Sequence, residues 1–335
     1  MSDGGTKSTR PVIAATIGDP AGIGPEVCVK ALANGVLDDL CRPVLIGDAE
    51  VVRHAARIGG VTRPIRAIRS IAELDASKDS ITVLDPGGFA PANYTIGQSS
   101  LVCGEAVLGW LETGRQLGDD RAIAGLVWGP VNSDSLMLTG RIQHIDDLQP
   151  PATFMLRVSG ALRVVPITEH IRVRDIPATV TTARVLELVA LLHRALQDWG
   201  IRAPRIAVAG LNPHAMFDED KQEVAPAVAA ARQAGIDAHG PIAPDSVFRL
   251  AADGRYDAVV TMYHDQGQIA VKTLAFEGAC TIFLGLPYVL VGVPHGSAFD
   301  IAGTGKAQHS SMLAAMKTAA DLAGGRGFAT AEGIG

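Results

Sequence analysis

Residues 11–33 read PVIAATIGDPAGIGPEVCVKALA. The first eight residues form an apolar, partly β-branched run, which is typical of a buried strand. The glycine-bearing turn IGDPAGIGPEV at Ile17–Val27 follows, and the stretch Gly24–Ala33 then predicts a helix. A strand, a glycine turn and a helix in succession are the repeating unit of α/β proteins.

The same alternation continues along the chain. Helices are predicted over Gly104–Gly118, Thr182–Trp199 and Val224–Ala234. Seven further apolar runs predict strands: RPVLIG (42–47), SITVLD (80–85), AIAGLVWG (122–129), LRVVPIT (162–168), RIAVAG (205–210), YDAVVTMY (256–263) and CTIFLG (280–285). We therefore predict an α/β protein with a large parallel component.

The length of 335 residues is long for a single core and suits two lobes. The strongest break is the GPVNSD turn after Trp128. We expect a first lobe of residues 1–130 with 285–335, and a second lobe of residues 131–284.

The composition narrows the class of function. The chain is 47% hydrophobic and 19% charged, with a net charge of −6. It has neither basic clusters for nucleic acid nor an apolar run of membrane-spanning length. There is no signal-peptide pattern, and the four scattered cysteines form no metal or redox motif. We expect a cytoplasmic enzyme that acts on a small molecule and binds neither nucleic acid nor membrane.

Three histidines stand just past the ends of predicted strands. His170 closes RVVPITEH, His214 follows RIAVAGLNP, and His264 ends DAVVTMYH. Ligands of open α/β sheets bind at the carboxyl ends of the strands, so these side chains can converge. Placement alone does not decide between a shared metal site and three histidines with separate structural roles. Three imidazoles would bind Zn, Co or Mn and leave positions open for substrate.

Other polar residues accompany the histidines. Asp265 directly follows His264, and Asp245 stands in PIAPDSV; both are candidates for proton transfer or for orienting a ligand, although helix capping is the ordinary role of such an Asp. Lys272, in the apolar segment GQIAVKTL, is either a desolvated acid/base or a solvated helix lysine.

Two glycine-bearing loops are candidate anion or cofactor sites. Ile17–Val27 offers backbone N–H groups at a helix N-terminus. The second loop, PHGSAFDIAGTGKA at 294–307, resembles the adenosine-binding loop of the isocitrate and isopropylmalate dehydrogenases. The resemblance implies that His295 and Gly296 hold the adenine. It also implies that Asp300 accepts from the ribose 2′-hydroxyl, which favours NAD over NADP.

Taken together, GDPAGIGPE, GLNPHA, YHDQG, LGLPY and HGSAFDIAGTG resemble the 4-hydroxythreonine-4-phosphate dehydrogenase family. The resemblance implies a two-lobed, three-layer αβα fold of the isopropylmalate dehydrogenase type and a homodimer. The active site would lie in the cleft between the lobes, at the dimer interface. His170, His214 and His264 fall on the family's metal ligands, although its usual T-H-x-P-L-x-D reads EHIRVRD here.

The substrate contacts implied by the resemblance are altered. His144 and Lys272 are kept, but the family's threonine, asparagine and arginine fall on Ile145, Thr281 and Leu290. An arginine is the strongest partner for a phosphate or carboxylate, and an apolar wall suits a ring. The substitutions therefore favour a cyclic dihydrodiol dicarboxylate, such as that of terephthalate, over a phosphorylated chain.

We expect an NAD-dependent dehydrogenase that oxidises a hydroxy acid to a keto acid, which then loses CO2. One divalent metal per site (Zn, Co, Mn or Mg) would act as a Lewis acid. Three alternatives remain: a dehydrogenase with structural histidines and no metal, a catalytically silent sensor of NAD or a small acid, and an exported solute-binding protein.

Overall fold

The structure is a computed structural model that describes residues 10–274 and 280–328, apart from the side chain of Pro91. The chain forms two compact units. Unit 1 is Met1–Leu148 with His295–Gly324, and unit 2 is Gln149–Pro294 with Gly325–Gly335, counting in each the described residues. The α/β class predicted from the sequence is confirmed, because each unit contains a sheet flanked by helices.

Strands and helices alternate through most of the described chain. The strands there are β1 (Val12–Thr16), β2 (Arg42–Ile46), β3 (Ile65–Ile68), β4 (Ile81–Leu84), β5 (Gly125–Trp128), β6 (Phe154–Ser159), β7 (Leu162–Pro166), β8 (Ile206–Ala209), β9 (Ala238–Ile242), β10 (Ala258–Thr261), β11 (Cys280–Leu284) and β12 (Val289–Gly292). The α-helices there are α1 (Gly24–Ala33), α2 (Leu37–Leu40), α3 (Ala49–Ile58), α4 (Leu101–Asp119), α5 (Ser133–Met137), α6 (Ile176–Thr179), α7 (Thr182–Asp198), α8 (Ala225–Gln233), α9 (Pro244–Ala252), α10 (His264–Leu274) and α11 (Ser310–Ala323).

Unit 1 is built on a parallel sheet in the order β3-β4-β2-β1-β5. Helices α1 and α11 pack together, and α4 packs against β1 and β5. Every residue of β4 and all but the first residue of β1 are buried. Strands covered on both faces read as continuous apolar runs, which is why the sequence showed them clearly.

Unit 2 contains strands in the order β12-β11-β6-β7-β10-β8-β9. The last four are parallel, whereas β6, β11 and β12 pair with their neighbours in antiparallel fashion. Helices α9 and α10 cover β7, β8 and β10 around a hydrophobic core that consists of Leu162, Val164, Ala207, Ala209, Val247, Ala251, Val259 and Val271. The C-terminal ends of β7, β10 and β8 are therefore neighbours at one edge of the sheet.

The two compact units have other bounds than the predicted lobes. The units divide after Leu148 and before His295, not after residues 130 and 284. The GPVNSD turn begins α5, which packs on α4, and Leu136 joins a core with Val107, Leu108 and Leu111. That packing keeps residues 131–148 in unit 1.

The eight predicted strands and four predicted helices are present, with ends shifted by up to three residues. Four strands had no clear signal in the sequence, namely β3, β6, β9 and β12. Among the described residues, no single helix is both long and apolar enough to cross a membrane; one pair, 173–179 with 182–198, meets those criteria together but is bent by 82°.

Candidate metal centre and cofactor loop

The three predicted histidines follow three adjacent parallel strands. His170 lies four residues beyond β7, and His264 is the first residue of α10, after β10. His214 lies in a short 3-10 turn, Pro213–Ala215, after β8. Because β10 pairs with β7 on one side and β8 on the other, His264 is central among them.

Two of these histidines lie side by side, together with an acid that the sequence analysis missed. The ring centroids of His170 and His264 are 4.8 Å apart, with the rings inclined by 62°. A carboxylate oxygen of Glu169 joins them, and the three donor atoms all lie within 4.8 Å of one another. Glu169, His170 and His264 are called the strand-end cluster below.

The ring of His264 is oriented by its neighbour in the chain. Its Nδ1 lies 2.7 Å from Oδ1 of Asp265, in the first turn of α10. A carboxylate on one imidazole nitrogen keeps the proton there and leaves the other nitrogen free to bind a metal ion. Asp265 therefore contacts His264 in the position of an orienting group.

His214 is not part of the strand-end cluster. Its backbone has φ +57°, a left-handed conformation that non-glycine residues seldom adopt. The loop is fixed by buried Asp220, whose carboxylate accepts from the backbone N–H groups of Leu211 and Phe217 at 2.7 and 3.3 Å. Gln266, in the first turn of α10, donates to the Gly210 carbonyl at 2.8 Å and so links the His214 loop to that helix. The structure thus places His214 at the neighbouring strand end, outside the cluster.

Glu169 forms a two-point ion pair with Arg157 of β6. The Nη1 and Nη2 atoms of Arg157 donate to the two carboxylate oxygens at 2.5 and 2.7 Å, and Nη1 also donates to the Met155 carbonyl at 2.8 Å. The side chains are 10% and 21% exposed, so the pair is largely withdrawn from solvent. The only sequence signal for Glu169 was an acid where the resembled family has threonine before its histidine.

Two predicted catalytic residues lie outside the strand-end cluster. Asp245 is exposed in the first turn of α9, where its carboxylate accepts from the Ser246 hydroxyl. Lys272 is exposed in the last turn of α10, roughly 12 Å along the helix axis from His264. Of the two alternatives left open for Lys272, its exposure in this chain corresponds to the solvated helix lysine.

The altered substrate positions do not form an apolar wall. Leu290 of β12 is 0% exposed and pairs with Phe283 of β11, so its side chain belongs to the packed interior. Ile145 packs in unit 1 against the core containing Leu108 and Leu111. Leu290 is therefore not exposed to a ligand in this structure, whereas Ile145 is only half-buried, and its predicted substrate contact stays a prediction. Thr281 of β11 is half-buried and lies directly opposite Arg157 of the neighbouring strand β6.

His144 stands on an exposed turn of unit 1. Asp147 holds this turn, since its carboxylate accepts from the backbone N–H groups of Gln143 and His144 at 2.8 and 3.0 Å. Those hydrogen bonds lower the pKa of Asp147. The His144 side chain is 66% exposed and available to a ligand, as the prediction requires.

The first glycine turn is not an exposed anion site. Residues 17–29 are buried, and the N–H groups of the turn are used internally. Asp19 donates to the Pro130 carbonyl at 2.9 Å, and Ile23 donates to the Ser297 carbonyl at 2.9 Å. The carboxylate of Asp19 accepts from Ala21 at 2.8 Å, and burial raises its pKa. The anion-site prediction failed because the turn is a packing element.

The first glycine turn and α1 also hold the second loop, residues 294–307, in place. Besides the contact at Ser297, Lys30 of α1 donates to the carbonyls of Gly305 and Ala307 at 2.8 and 3.0 Å. Glu26 accepts from the Ala307 N–H at 2.9 Å. The loop containing His295, Gly296 and Asp300 is thus fixed on α1 near both ends, with Gly296 and Asp300 exposed.

The donor set of the strand-end cluster fits a divalent transition metal. Two imidazole nitrogens and one carboxylate oxygen are ligands that Zn, Co and Mn share. Bonds of about 2.1 Å in a tetrahedral site place donor atoms about 3.4 Å apart, so donors within 4.8 Å need only small side-chain movements. We regard the cluster as a candidate metal centre.

The fold and this centre define a two-unit α/β protein with a metal-type donor set at its strand ends, and comparison with known proteins identifies the family. Residues 39–319 match the pyridoxal phosphate biosynthetic protein PdxA family, and the chain belongs to that family of dehydrogenases. It is 44% identical, over 96% of its length and 98% of the relative's, to a Novosphingobium aromaticivorans protein assigned by name as a 4-hydroxythreonine-4-phosphate dehydrogenase. It is 38% identical, with coverages of 93% and 97%, to the D-threonate 4-phosphate dehydrogenase of Cupriavidus necator.

Solved structures give the same grouping. The crystal structure of a 4-hydroxythreonine-4-phosphate dehydrogenase from Burkholderia phymatum matches with a TM-score of 0.83 at 34% identity, covering 93% of this chain and 98% of that one. A terephthalate 1,2-cis-dihydrodiol dehydrogenase from Burkholderia xenovorans matches with a TM-score of 0.70 at 27% identity, with coverages of 90% and 95%. The dihydrodiol enzyme is thus a more distant neighbour than the phosphate-substrate enzyme.

Proposed function

We propose that this chain is an NAD-linked, divalent-metal-dependent dehydrogenase that oxidises the hydroxyl of a 4-phosphorylated hydroxy acid, with loss of CO2 from the resulting keto acid. The observation that carries the proposal is the pairing of His170 with His264 at adjacent strand ends, with Asp265 on Nδ1 of His264. The relatives named for hydroxythreonine and threonate 4-phosphates support this substrate class.

The chain's own residues would divide the work as follows. His170 and His264 would hold the ion, with His214 from the next strand end. A bound ion would supply Lewis-acid polarisation of the reacting oxygen. Asp265 would keep His264 in its ligand form, and His144 and Lys272 would contact the anionic substrate. Asp245 remains a proposed proton-transfer residue with no contact to the cluster.

NAD is proposed as the hydride acceptor. The support is the loop that carries His295, Gly296 and Asp300, which is fixed on α1 before any cofactor binds. An exposed carboxylate at Asp300 can accept from a ribose hydroxyl and would repel a 2′-phosphate. NADP should therefore be the poorer cofactor.

We also propose a homodimer located in the cytoplasm. Several large apolar side chains of unit 2 are exposed, including Met216, Phe217, Ile269 and Leu274, which is typical of an interaction surface. The distance along α10 between His264 and Lys272 accords with a site completed by a second copy. All four cysteines are buried thiols, in keeping with a reducing compartment.

The second candidate substrate is a cyclic cis-dihydrodiol dicarboxylate. The observation in its favour is Leu290, which stands where the resembled family has a substrate-binding arginine. We rank it second because Leu290 is fully buried and Ile145 packs against a core, so the two side chains give a ring little apolar surface.

The test is an NAD-reduction assay on chelator-treated protein with 4-hydroxythreonine 4-phosphate, D-threonate 4-phosphate and the terephthalate dihydrodiol. We expect turnover of a phosphorylated substrate, with release of CO2, only after Zn, Co, Mn or Mg is restored. Full activity after chelation would support structural histidines instead. NAD binding without turnover of any substrate would support the silent sensor.

A further inference from the structure

We propose that Glu169 is a further ligand of the metal centre and that Arg157 is the positioning residue that holds it there. The proposal rests on the proposed function, since it requires an ion at His170 and His264. It goes beyond the three histidines implied by the resemblance, because that pattern has threonine at this position.

The geometry leaves Glu169 free to bind an ion while it is paired. A carboxylate has about four lone-pair sites, and the two hydrogen bonds from Arg157 use only two of them. The oxygen that joins the strand-end cluster lies within 4.8 Å of the donor nitrogens of His170 and His264. Ligating carboxylates are commonly hydrogen-bonded in turn by a second group, which is the relationship seen here.

The burial of the pair gives a reason for its presence. Withdrawing two charges from water costs several kcal/mol per ion, and this cost is offset only by good geometry and additional hydrogen bonds. Arg157 meets that condition through the Met155 carbonyl, which fixes its guanidinium to β6. A positive ion at His170 and His264 would give the carboxylate a second partner and stabilise it further.

The pair also lies where substrate contacts are implied. Arg157 stands directly across from Thr281, the position that the resemblance assigns to substrate binding. A carboxylate ligand reduces the net charge of the centre by one, and the adjacent guanidinium restores it. Arg157 and Glu169 would therefore set the charge that an anionic substrate meets. The arginine that the resembled family has at this chain's Leu290 is absent.

The experiment is a Co²⁺ titration of the metal-stripped full-length protein, followed by visible ligand-field absorption and by metal analysis after dialysis. In Glu169→Gln we expect Co²⁺ affinity to fall by at least about 10- to 100-fold, the range for loss of a supporting group, with a shifted spectrum. Glu169→Asp should keep the wild-type band pattern, because it retains a carboxylate.

Two further variants control for folding. Arg157→Met combined with Glu169→Gln replaces the pair by neutral groups, a change that buried ion pairs often tolerate, and it should show the same loss of affinity. Asp257→Asn breaks a comparable two-point pair with Arg205 (3.1 Å for each bond) at the opposite ends of β8 and β10, and it should leave Co²⁺ binding unchanged.

The outcomes separate the two proposals. Wild-type Co²⁺ affinity and an unshifted spectrum in Glu169→Gln or in the double variant would overturn the role of Glu169 while leaving the histidine centre intact. Failure of the wild-type protein to bind Co²⁺ would overturn the metal-dependent function and the role of Glu169 together.

Discussion

The carboxylate of Asp265 lies 2.7 Å from Nδ1 of the adjacent His264. The Asp265 side chain is 74% exposed and belongs to no core, so removing it should alter the histidine without unfolding the protein. For Asp265→Ala we expect metal affinity to fall about 10- to 100-fold, the usual effect of losing a ligand's hydrogen-bond partner. Metal content after dialysis against buffered Zn²⁺ measures this effect. Asp253→Ala, at the exposed C-cap of α9, is the control, and equal metal retention by both variants would refute the orienting role.

A second prediction concerns Gly22, beneath the proposed cofactor loop. A Cβ atom at this position would lie 2.6 Å from Cβ and 2.8 Å from the carbonyl oxygen of Ser297. Gly22→Ala should therefore lower the free energy of unfolding by about 1–3 kcal/mol, as overpacking does, and weaken NAD binding by displacing the loop. Urea unfolding and NAD titration measure the two effects.

Gly109→Ala is the matched control for Gly22. This exposed position of α4 has no atom within 4 Å of an added Cβ atom, and the substitution should stabilise the helix by about 0.5–1 kcal/mol without affecting NAD. If Gly22→Ala behaved like this control, the close approach at Ser297 would be disproved.

The prediction for Leu290 separates a core residue from a substrate contact. Leu290 is 0% exposed, so Leu290→Ala should reduce the free energy of unfolding by about 2–5 kcal/mol through loss of buried contacts. The KM for the substrate should change little in the fraction that remains folded. A large rise in KM with unchanged stability would restore Leu290 to the substrate site.

The buried carboxylate of Asp19 gives the unfolding free energy a predictable dependence on pH. Burial raises its pKa above the ordinary 3.8, even though hydrogen bonds from Ala21, Ser135 and Cys103 act in the opposite direction. The folded state thus binds more protons than the unfolded state between the ordinary and the raised pKa. Its stabilising contribution is fully present below this window and is lost as the pH rises through the folded-state pKa.

Asp19→Asn retains the acceptor for the Ala21 N–H and removes the titration. The difference in unfolding free energy between variant and wild type should shift in favour of the variant as the pH rises through that window. Urea denaturation from about pH 4 to about pH 8 measures it. Parallel profiles for the two proteins would show that Asp19 does not titrate as described.

Much of the fold was readable because parallel strands buried on both faces form continuous apolar runs. Three of the four strands that were not predicted depart from this pattern, whereas β12 is a short buried apolar run of four residues. β3 and β9 are edge strands of their units, β9 contains a Gly-Pro pair, and β6 contains the paired Arg157. The predicted lobe boundary and the bound of unit 1 differ because a polar turn after Trp128 resembles a linker in sequence, whereas Leu136 packs into a core of unit 1.

The sequence predicted those features of the site that depend on where the strands end. The apolar runs placed His170, His214 and His264 at the ends of three strands, but the order of those strands in the sheet and the side-chain distances are given only by the structure. The spacing of residues in the sequence does not reveal the positive φ of His214. Nor does it reveal that Glu169 pairs with Arg157, 12 positions earlier. Leu290 was predicted to contact substrate from its family position alone, which does not show which way a different side chain packs; in the structure Leu290 is fully buried.

The central claim is that the strand-end histidines hold a divalent ion. It is tested most directly by metal analysis of the purified protein and of its His170→Ala and His264→Ala variants, with exposed His239→Ala as the control. We expect one Zn, Co, Mn or Mg ion per active site in the wild type and in His239→Ala, and loss of that ion from both cluster variants while the circular dichroism stays native. Full metal content in folded His170→Ala and His264→Ala would contradict the account.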